Sequence, residues 1–427
     1  MEQKSQLKRS LGLFEVTLSG IGIILGAGIY ALIGEAAGLA GNAVWISFAI
    51  SSLVALFTGL SYAELASMFP KASAEYEYTT QSFGRYWAFI IGWLIIFSGV
   101  IGSATVALGF AGYFASLFGA PFVISALALI FVLSLLIFIG IKQSVFVAVI
   151  FTVIEASGLV LIIISGIPYL GSVNYLDMPF GLHGIFKASA LIFFAFIGFQ
   201  EIVKLSEEAK DPEKNIPKGL ILAIAASITM YILVGLSAVS VLGWERLSQS
   251  SAPIADIAFA ALGQQASYIV SIMALFATTN TVLLMLLASS RIVYGMSESG
   301  SLPRILSQIH PATRAPWTAI ILVMVLAMAF VFLEDIAFVA NINNFTVFIT
   351  FIVINASLIL LRYHKPEITR PFQVPLSIGR LPIMPALAII FNAFMMLQLS
   401  VQVLAIGVGL TILGFLAAHI SFHSVDN

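Results

Sequence analysis

Apolar runs of about 20 residues recur along the whole chain, and short polar segments separate them. As a helix, each run is long enough to cross a hydrocarbon core about 30 Å thick. The pattern of apolar and polar positions therefore predicts twelve membrane-spanning helices. Their expected ranges are 13–38, 43–69, 85–113, 121–140, 145–169, 185–205, 217–243, 265–292, 317–333, 336–361, 381–399 and 402–420.

Proline marks several of the predicted helix ends. Phe69-Pro70 ends the second span, Pro121 begins the fourth, and Ile216-Pro217 begins the seventh. The composition agrees, since 60% of residues are hydrophobic, only 9% are charged and the mean hydropathy is +1.07. Soluble proteins carry roughly 25% charged residues. The chain is therefore predicted to be an all-α polytopic membrane protein, a single transmembrane domain over residues 1–427.

The basic residues predict how the helices are oriented. With the N-terminus in the cytoplasm, only Lys187 and Arg246 of the 19 Lys and Arg residues fall outside, in agreement with the positive-inside rule. We expect a multi-pass protein of the plasma membrane with both termini in the cytoplasm. The longest loops, Arg291–Pro316 and Arg362–Arg380, are too short to fold alone, so the function is expected to reside in the membrane.

Glycine interrupts the first span near its middle. Residues 20–28 read Gly-Ile-Gly-Ile-Ile-Leu-Gly-Ala-Gly, and their last three lie about 20 Å from Leu13 at 1.5 Å per residue. Close helix packing is one explanation, because Gly22 and Gly26 have the GxxxG spacing. The glycines cover more than one helix face, however, which favours a break in the helix at Gly26–Gly28.

A second glycine, Gly198, lies near the middle of the sixth span, after Phe193-Phe194-Ala195-Phe196-Ile197. A helix break in lipid frees backbone N–H and C=O groups, so it persists only where it lines a site or is buried in protein. Two broken spans in equivalent positions are the best sequence indication of a transporter's binding site.

Few ionisable side chains lie deep in the predicted spans, and Glu155 is the clearest case. Glu155 lies about 15 Å past Val145, where a charge costs at least about 2.5 kcal/mol, and this depth suits it to reversible protonation. Thr279 and Asn280 lie at comparable depth in the eighth span and predict an ion site with Glu155. Hydrogen bonding between helices is the alternative role for all three. Ser103 in the third span is a further candidate for contact with a bound molecule.

The chain shows no arrangement typical of an enzyme or a metal site. It has no cysteine, and no His-x-x-x-His pair, His/Asp cluster or Ser/His arrangement falls at one membrane depth. We therefore expect no catalysis, no metal and no cofactor. The net charge of −1 gives no indication of nucleic-acid binding.

Four motifs resemble those of the amino acid–polyamine–organocation (APC) superfamily of permeases. The first span is similar to the family's G-I-G-x-x-[IL]-G-A-G-I-[FY], and Tyr62–Pro70 resembles Y-x-E-L-x-x-x-[FY]-P. Phe196–Pro217 resembles F-x-G-F-[ED] followed by E-x-x-x-N-P-x-[KR]-x-[IV]-P. Arg291–Pro316 is similar to R-x-x-x-x-[ML], then G-x-L-P and A-P. Within this superfamily, the chain most resembles the cationic and proton-coupled amino acid permeases.

The chain departs from the family pattern at three places. Ser73-Ala74 replaces the usual Gly-Gly after the Phe-Pro motif. Gln200 replaces the usual acidic residue after Gly-Phe, and Glu201 follows it. In the fifth helix, Glu155 stands where proton-coupled relatives can carry a lysine.

The resemblance implies a LeuT-type bundle of two inverted five-helix repeats, residues 13–169 and 185–361, followed by two helices at 381–420. It implies alternating access to a midplane site, where N–H groups near Gly28 bind the substrate carboxylate and freed carbonyls bind its ammonium group. The expected substrate-binding residues are Ile24, Leu25, Gly26, Ala27, Gly28, Ser103, Phe194, Ala195, Phe196, Ile197 and Gly198. The expected ion-coupling residues are Glu155, Thr279 and Asn280.

Together these features predict secondary active transport of an amino acid, with symport of a proton and a small neutral amino acid favoured. Sodium symport in the Glu155 region and amino acid exchange are alternatives. A sensor that binds an amino acid without transporting it is an alternative of another class. The expected partners are the amino acid, the lipid bilayer and the coupling ion, H⁺ or else Na⁺.

Overall fold

The computed structural model describes residues 9–71, 73–140 and 145–423. These residues form fifteen α-helices, short 3₁₀ segments and one antiparallel hairpin of two strands, β1 (Ser377–Ile378) and β2 (Leu381–Pro382). In chain order the helices are α1 (Leu13–Ile24), α2 (Gly28–Ala40), α3 (Val44–Met68), α4 (Ala74–Phe83), α5 (Arg85–Phe118), α6 (Phe122–Ile139), α7 (Val145–Gly166), α8 (Gly181–Ile192), α9 (Pro212–Ser248), α10 (Pro253–Leu262), α11 (Gln264–Glu298), α12 (Trp317–Val331), α13 (Ile336–His364), α14 (Ile383–Met396) and α15 (Val401–His423).

The predicted spans coincide with these helices. Within the described residues, 9 helical segments are long and apolar enough to cross a bilayer, which confirms an all-α polytopic membrane protein. The helices α12 and α14 have only 15 and 14 residues, fewer than the roughly 20 that a straight crossing requires. The count of twelve crossings and the inverted repeats therefore remain predictions.

Some local features differ from the sequence prediction. The seventh span begins at Pro212 rather than at Pro217, because Pro212 occupies the first position of α9, where its missing N–H costs nothing. Pro217 lies inside the helix. Two additional helices, α4 and α10, lie between predicted spans, and each has 10 residues, too few to cross the membrane.

Four long helices, α5, α9, α11 and α13, form the centre of the bundle. Helix α5 packs along α11 and α13, and α9 packs along α1 and α3. Their contacting faces carry the largest fully buried side chains, which include Phe48, Phe89, Phe348 and Tyr231. These helices surround the two interrupted spans and bring distant parts of the chain against them.

The start of α1 defines one end of the bundle, called here the N-terminal face. The N–H of Ser10 donates to the carbonyl of Glu208 at 2.9 Å, and Leu11 forms a bridge with Ala209. The opposite face holds α10 and residues 167–180. Lys4, Lys8 and Lys142, which contribute to the predicted orientation, lie outside the described residues, so the cytoplasmic location of the N-terminal face remains a prediction.

Candidate functional site

The first predicted break is present. Helix α1 ends at Ile24 and α2 begins at Gly28, which leaves Leu25, Gly26 and Ala27 as a connection between two half-helices. The N–H of Ala27 lies 3.3 Å from Oγ1 of Thr281 on α11. A side chain 254 residues away in the chain therefore accepts from one of the N–H groups at the break.

The second predicted break is also present and is longer. Helix α8 ends at Ile192, a 3₁₀ turn covers Phe193–Phe196, and a second 3₁₀ segment runs over Phe199–Glu207. Between them Gly198 has a φ of 129°, which side-chain-bearing residues rarely adopt. Its N–H donates to Oε1 of Gln200 at 2.9 Å.

The two breaks contact each other. A Cβ at Gly28 would lie 2.7 Å from Cα of Ala195, and a Cβ at Gly198 would lie 2.9 Å from the carbonyl oxygen of Ile23. Both distances are shorter than any normal contact of a Cβ atom. Glycine at these two positions therefore allows the half-helix ends to meet.

Tyr231 on α9 joins the two breaks. Its hydroxyl lies 2.5 Å from the carbonyl oxygen of Ile24 and 2.9 Å from that of Ala195. On the other side of the second break, Nδ2 of Asn344 on α13 donates to carbonyls in the last turn of α8 at 2.7 and 3.0 Å. Carbonyls that the broken helices leave free are thus bound by side chains of neighbouring helices.

A cavity of about 410 Å³ extends from the two breaks to the N-terminal face. Most of its wall near the breaks is apolar, with Ile23, Met285, Val347 and Phe351 among the lining residues. Nine of the expected site residues also line it, namely Ile24, Gly26, Ala27, Gly28, Phe194, Ala195, Ile197, Gly198 and Asn280. The structure thus brings the two predicted glycine segments and the eighth span together around one space.

The other expected site residues do not line the cavity. Leu25 is 1% exposed, and the Ser103 hydroxyl donates to the carbonyl of Val100 at 2.7 Å within α5. The ring of Phe196 packs edge-on against Tyr231, with ring centroids 5.1 Å apart. Thr279 lies half-buried on α11.

Glu155 lies on α7 beside the first break but does not line the cavity. The residue is 1% exposed, and its Oε1 is 3.5 Å from Nδ2 of Asn280. Its backbone carbonyl accepts a hydrogen bond of 2.7 Å from the hydroxyl of Tyr30 on α2. The predicted proximity of Glu155, Asn280 and the first broken span is therefore present in the structure.

A second buried carboxylate, Glu64, lies outside the cavity wall near the N-terminal face. It is 0% exposed, and both of its oxygens are bound by Arg362 of α13, at 2.9 and 2.5 Å. Arg370 lies 3.4 Å away, and the N–H of Val374 donates to Glu64 at 2.7 Å. Glu64 therefore fastens the segment after α13 to α3.

Sequence reasoning did not identify Tyr231 or Asn344 as site residues, and it noted Thr281 only as part of the polar run Thr278–Thr281 in the eighth span. The one sequence signal that these three residues share is a polar side chain deep inside a predicted span. Many spans of this chain carry hydroxyl or amide groups at similar depth, so only the three-dimensional contacts with the breaks distinguish these three from the others.

Comparison with known proteins agrees with this architecture. A family model described as "Amino acid permease" matches residues 11–418. The chain is 32% identical over 422 residues to a branched-chain amino acid permease of Bacillus subtilis (strain 168), covering 93% of this chain and 89% of that protein. It is also 31% identical over 408 residues to a methylthioribose transporter of the same organism, covering 90% and 87% of the two chains.

The chain is also similar to a vacuolar cationic amino acid transporter 4 of Arabidopsis thaliana, with 32% identity over 401 residues. This match covers 87% of the present chain and 65% of the plant protein. The relatives are permeases and transporters rather than enzymes, and the predicted resemblance is confirmed. With two broken helices around a shared cavity, this chain belongs to the amino acid permease family of the APC superfamily.

Proposed function

We propose that this protein imports a neutral amino acid with a small or aliphatic side chain, together with a proton, by alternating access. The observation that carries the proposal is the meeting of two helix breaks at the inner end of one cavity. Broken helices present N–H and C=O groups that bind the charged ends of a zwitterion. The N–H groups at the start of α2 would bind the carboxylate, and carbonyls of both breaks would bind the ammonium group.

The apolar wall supports a neutral substrate. Near the breaks the cavity is lined by side chains such as Ile24, Phe194, Ile197 and Val347, which favour an apolar side chain. The relative named for branched-chain amino acids supports the same substrate class.

The cavity supports an inward-facing state if the N-terminal face is cytoplasmic. Leu11 and Glu208 line its open end. Toward the opposite face, the described residues above the breaks are closely packed. Tyr30 and Tyr113 are 0% exposed, and the hydroxyl of Tyr113 donates to the carbonyl of Tyr30 at 2.9 Å. The hydroxyl of Tyr113 also accepts from the N–H of Ile254 on α10 at 3.3 Å.

Glu155 is the proposed proton carrier. Among the described residues, the ion pairs within 4.0 Å do not include Glu155, although it is almost fully buried. A proton neutralises the charge that burial penalises. Asn280 contacts both Glu155 and the cavity, so protonation and substrate occupancy can influence each other through one side chain.

The defining experiment is counterflow and net uptake by the purified protein in proteoliposomes, with each of the twenty amino acids in turn. We expect accumulation of neutral aliphatic amino acids under an inward proton gradient and no further stimulation by Na⁺. Stimulation by Na⁺ would instead support sodium symport, and uptake only into preloaded vesicles would support exchange. Binding without accumulation would refute transport and support a sensor.

The proton assignment has its own test in Glu155→Gln, which keeps the shape and the amide contact with Asn280 but cannot bind a proton reversibly. We expect uptake to lose its pH dependence and its response to a proton gradient, while counterflow remains. The matched control is Glu298→Gln, at an exposed position at the end of α11. Unchanged pH dependence in Glu155→Gln would refute the assignment.

A further inference from the structure

Charged side chains line the cavity between the second helix break and the N-terminal face, beginning one turn after Gly198. Glu75 on α4, Tyr62 on α3, and Glu201 and Lys204 on the 3₁₀ segment 199–207 all line the cavity there. We call these four residues the mouth cluster. A substrate that moves between the breaks and the N-terminal face must pass them.

The mouth cluster contains two carboxylates and one ammonium group. Nζ of Lys204 donates to both carboxylate oxygens of Glu201, at 2.7 and 2.8 Å. Within the described residues, the ion pairs of 4.0 Å or less do not include Glu75, and the nearby Glu77 is paired with Lys71 at 3.1 Å. Glu75 is 4% exposed. One buried carboxylate in the cavity wall is therefore left without a directly bound cation.

The surroundings of Glu75 favour a bound positive charge. Glu75 is the second residue of α4, where helix N–H groups stabilise a carboxylate. Burial nevertheless raises the pKa of Glu75, the neighbouring Glu201 raises it further, and Lys204 opposes the shift. A proton or another cation would relieve this cost. Protein groups supply only part of the compensation.

Tyr62 provides an independent indication of a ligand. The residue is 0% exposed. Its hydroxyl has no hydrogen bond of good geometry to the described residues, and the Glu75 carboxyl is the group near enough to interact with it. A buried hydroxyl without a full hydrogen bond is unfavourable, because it has lost its hydrogen bonds to water. A donor group bound between Tyr62 and Glu75 would satisfy both side chains.

We propose that the mouth cluster is a second subsite, in which Glu75 and Tyr62 bind the ammonium group of an amino acid on its way between the helix breaks and the N-terminal face. The proposal rests on the proposed function. Glu75 supplies the negative charge and Tyr62 an acceptor oxygen, while Lys204 stays paired with Glu201. The subsite recognises primary ammonium compounds in general, whatever their side chain.

Sided uptake measurements test the subsite. Uptake is compared in everted and right-side-out membrane vesicles, which present opposite faces of the protein to the substrate. In Glu75→Gln we expect the KM to rise about tenfold on the N-terminal side, as for a hydrogen bond to a charged group, and to change less than twofold on the other side. Glu75→Asp, which keeps the charge, should restore most of the affinity.

The control on the same helix is Glu77→Gln, whose carboxylate is already paired with Lys71 and which should leave both KM values unchanged. An unchanged N-terminal-side KM in Glu75→Gln would overturn the subsite, and so would an equal rise on both sides. Failure of the wild-type protein to accumulate any amino acid would instead refute the proposed function, so the two failures are distinguishable.

A measurement on the wild-type protein covers the case in which Glu75→Gln does not fold. Propylammonium lacks a carboxylate and should inhibit uptake competitively when added on the N-terminal side, with little effect from the opposite side. Propanol, which has a similar shape and no charge, should not inhibit. Equal inhibition by both compounds, or inhibition by neither, would contradict an ammonium subsite.

Discussion

The contact between the two helix breaks gives a sharp prediction for Gly28→Ala. Gly28 is the first residue of α2, so helix propensity alone favours alanine at this position by at most about 1 kcal/mol. The new methyl group would lie 2.7 Å from Cα, 3.2 Å from Cβ and 3.3 Å from N of Ala195. It would meet backbone atoms that cannot turn away as a flexible side chain can.

The size of the effect follows from these distances. Carbon atoms in normal contact are about 3.5–4.0 Å apart, so the two breaks must separate by about 1 Å. Overpacking of this kind typically costs about 1–3 kcal/mol. Because the displacement falls on the groups that are proposed to bind the substrate, we expect affinity to drop about tenfold or more, the equivalent of about 1.4 kcal/mol.

Equilibrium binding of the transported amino acid to the purified variant measures this loss, and thermal unfolding shows whether the variant is folded. Gly409→Ala on α15 is the matched control, because a Cβ there would have no atom within 4 Å, and it should bind as the wild-type protein does. Wild-type affinity in Gly28→Ala would show that the contact between the breaks does not shape the site, and would refute the reasoning.

Two further predictions concern the side chains that hold the site together. Tyr231→Phe removes the hydroxyl that joins both breaks and should weaken substrate binding by about 1–2 kcal/mol. Tyr268→Phe, at an exposed position, should not weaken binding, and equal affinities in the two variants would contradict the bridging role. Glu64→Gln leaves the largely covered Arg362 and Arg370 without their buried carboxylate and should destabilise the protein by about 3–5 kcal/mol. The decrease should appear in thermal unfolding. Glu367→Gln, at an exposed position between α13 and β1, should unfold like the wild-type protein.

The positions of the two breaks could be predicted from the sequence because glycine is their local cause. Gly26 and Gly28 interrupt the apolar middle of the first span, and Gly198 adopts a φ of 129° that few other residues tolerate. The end of α3 at Met68 and the start of α6 at Phe122 were also predictable, because a proline lies close to each of them. These features depend on a few neighbouring residues and are therefore visible in the chain itself.

The groups that complete the site could not be predicted in this way. Tyr231, Thr281 and Asn344 bind backbone atoms of the broken spans across separations of 36 to 254 residues, and no local pattern sets such contacts. The depth of Ser103 was predictable from its span, whereas its absence from the cavity lining depends on which face of α5 packs toward the breaks.

The tyrosine that joins the two interrupted spans has one consequence for how they move. A hydroxyl carries a single proton, so Tyr231 can donate fully to the carbonyl of Ile24 or to that of Ala195, but not to both. When the half-helices separate in the proposed transport cycle, the hydroxyl of Tyr231 can keep its hydrogen bond to only one of them. Helix α9 would then stay attached to one of the two interrupted spans and release the other.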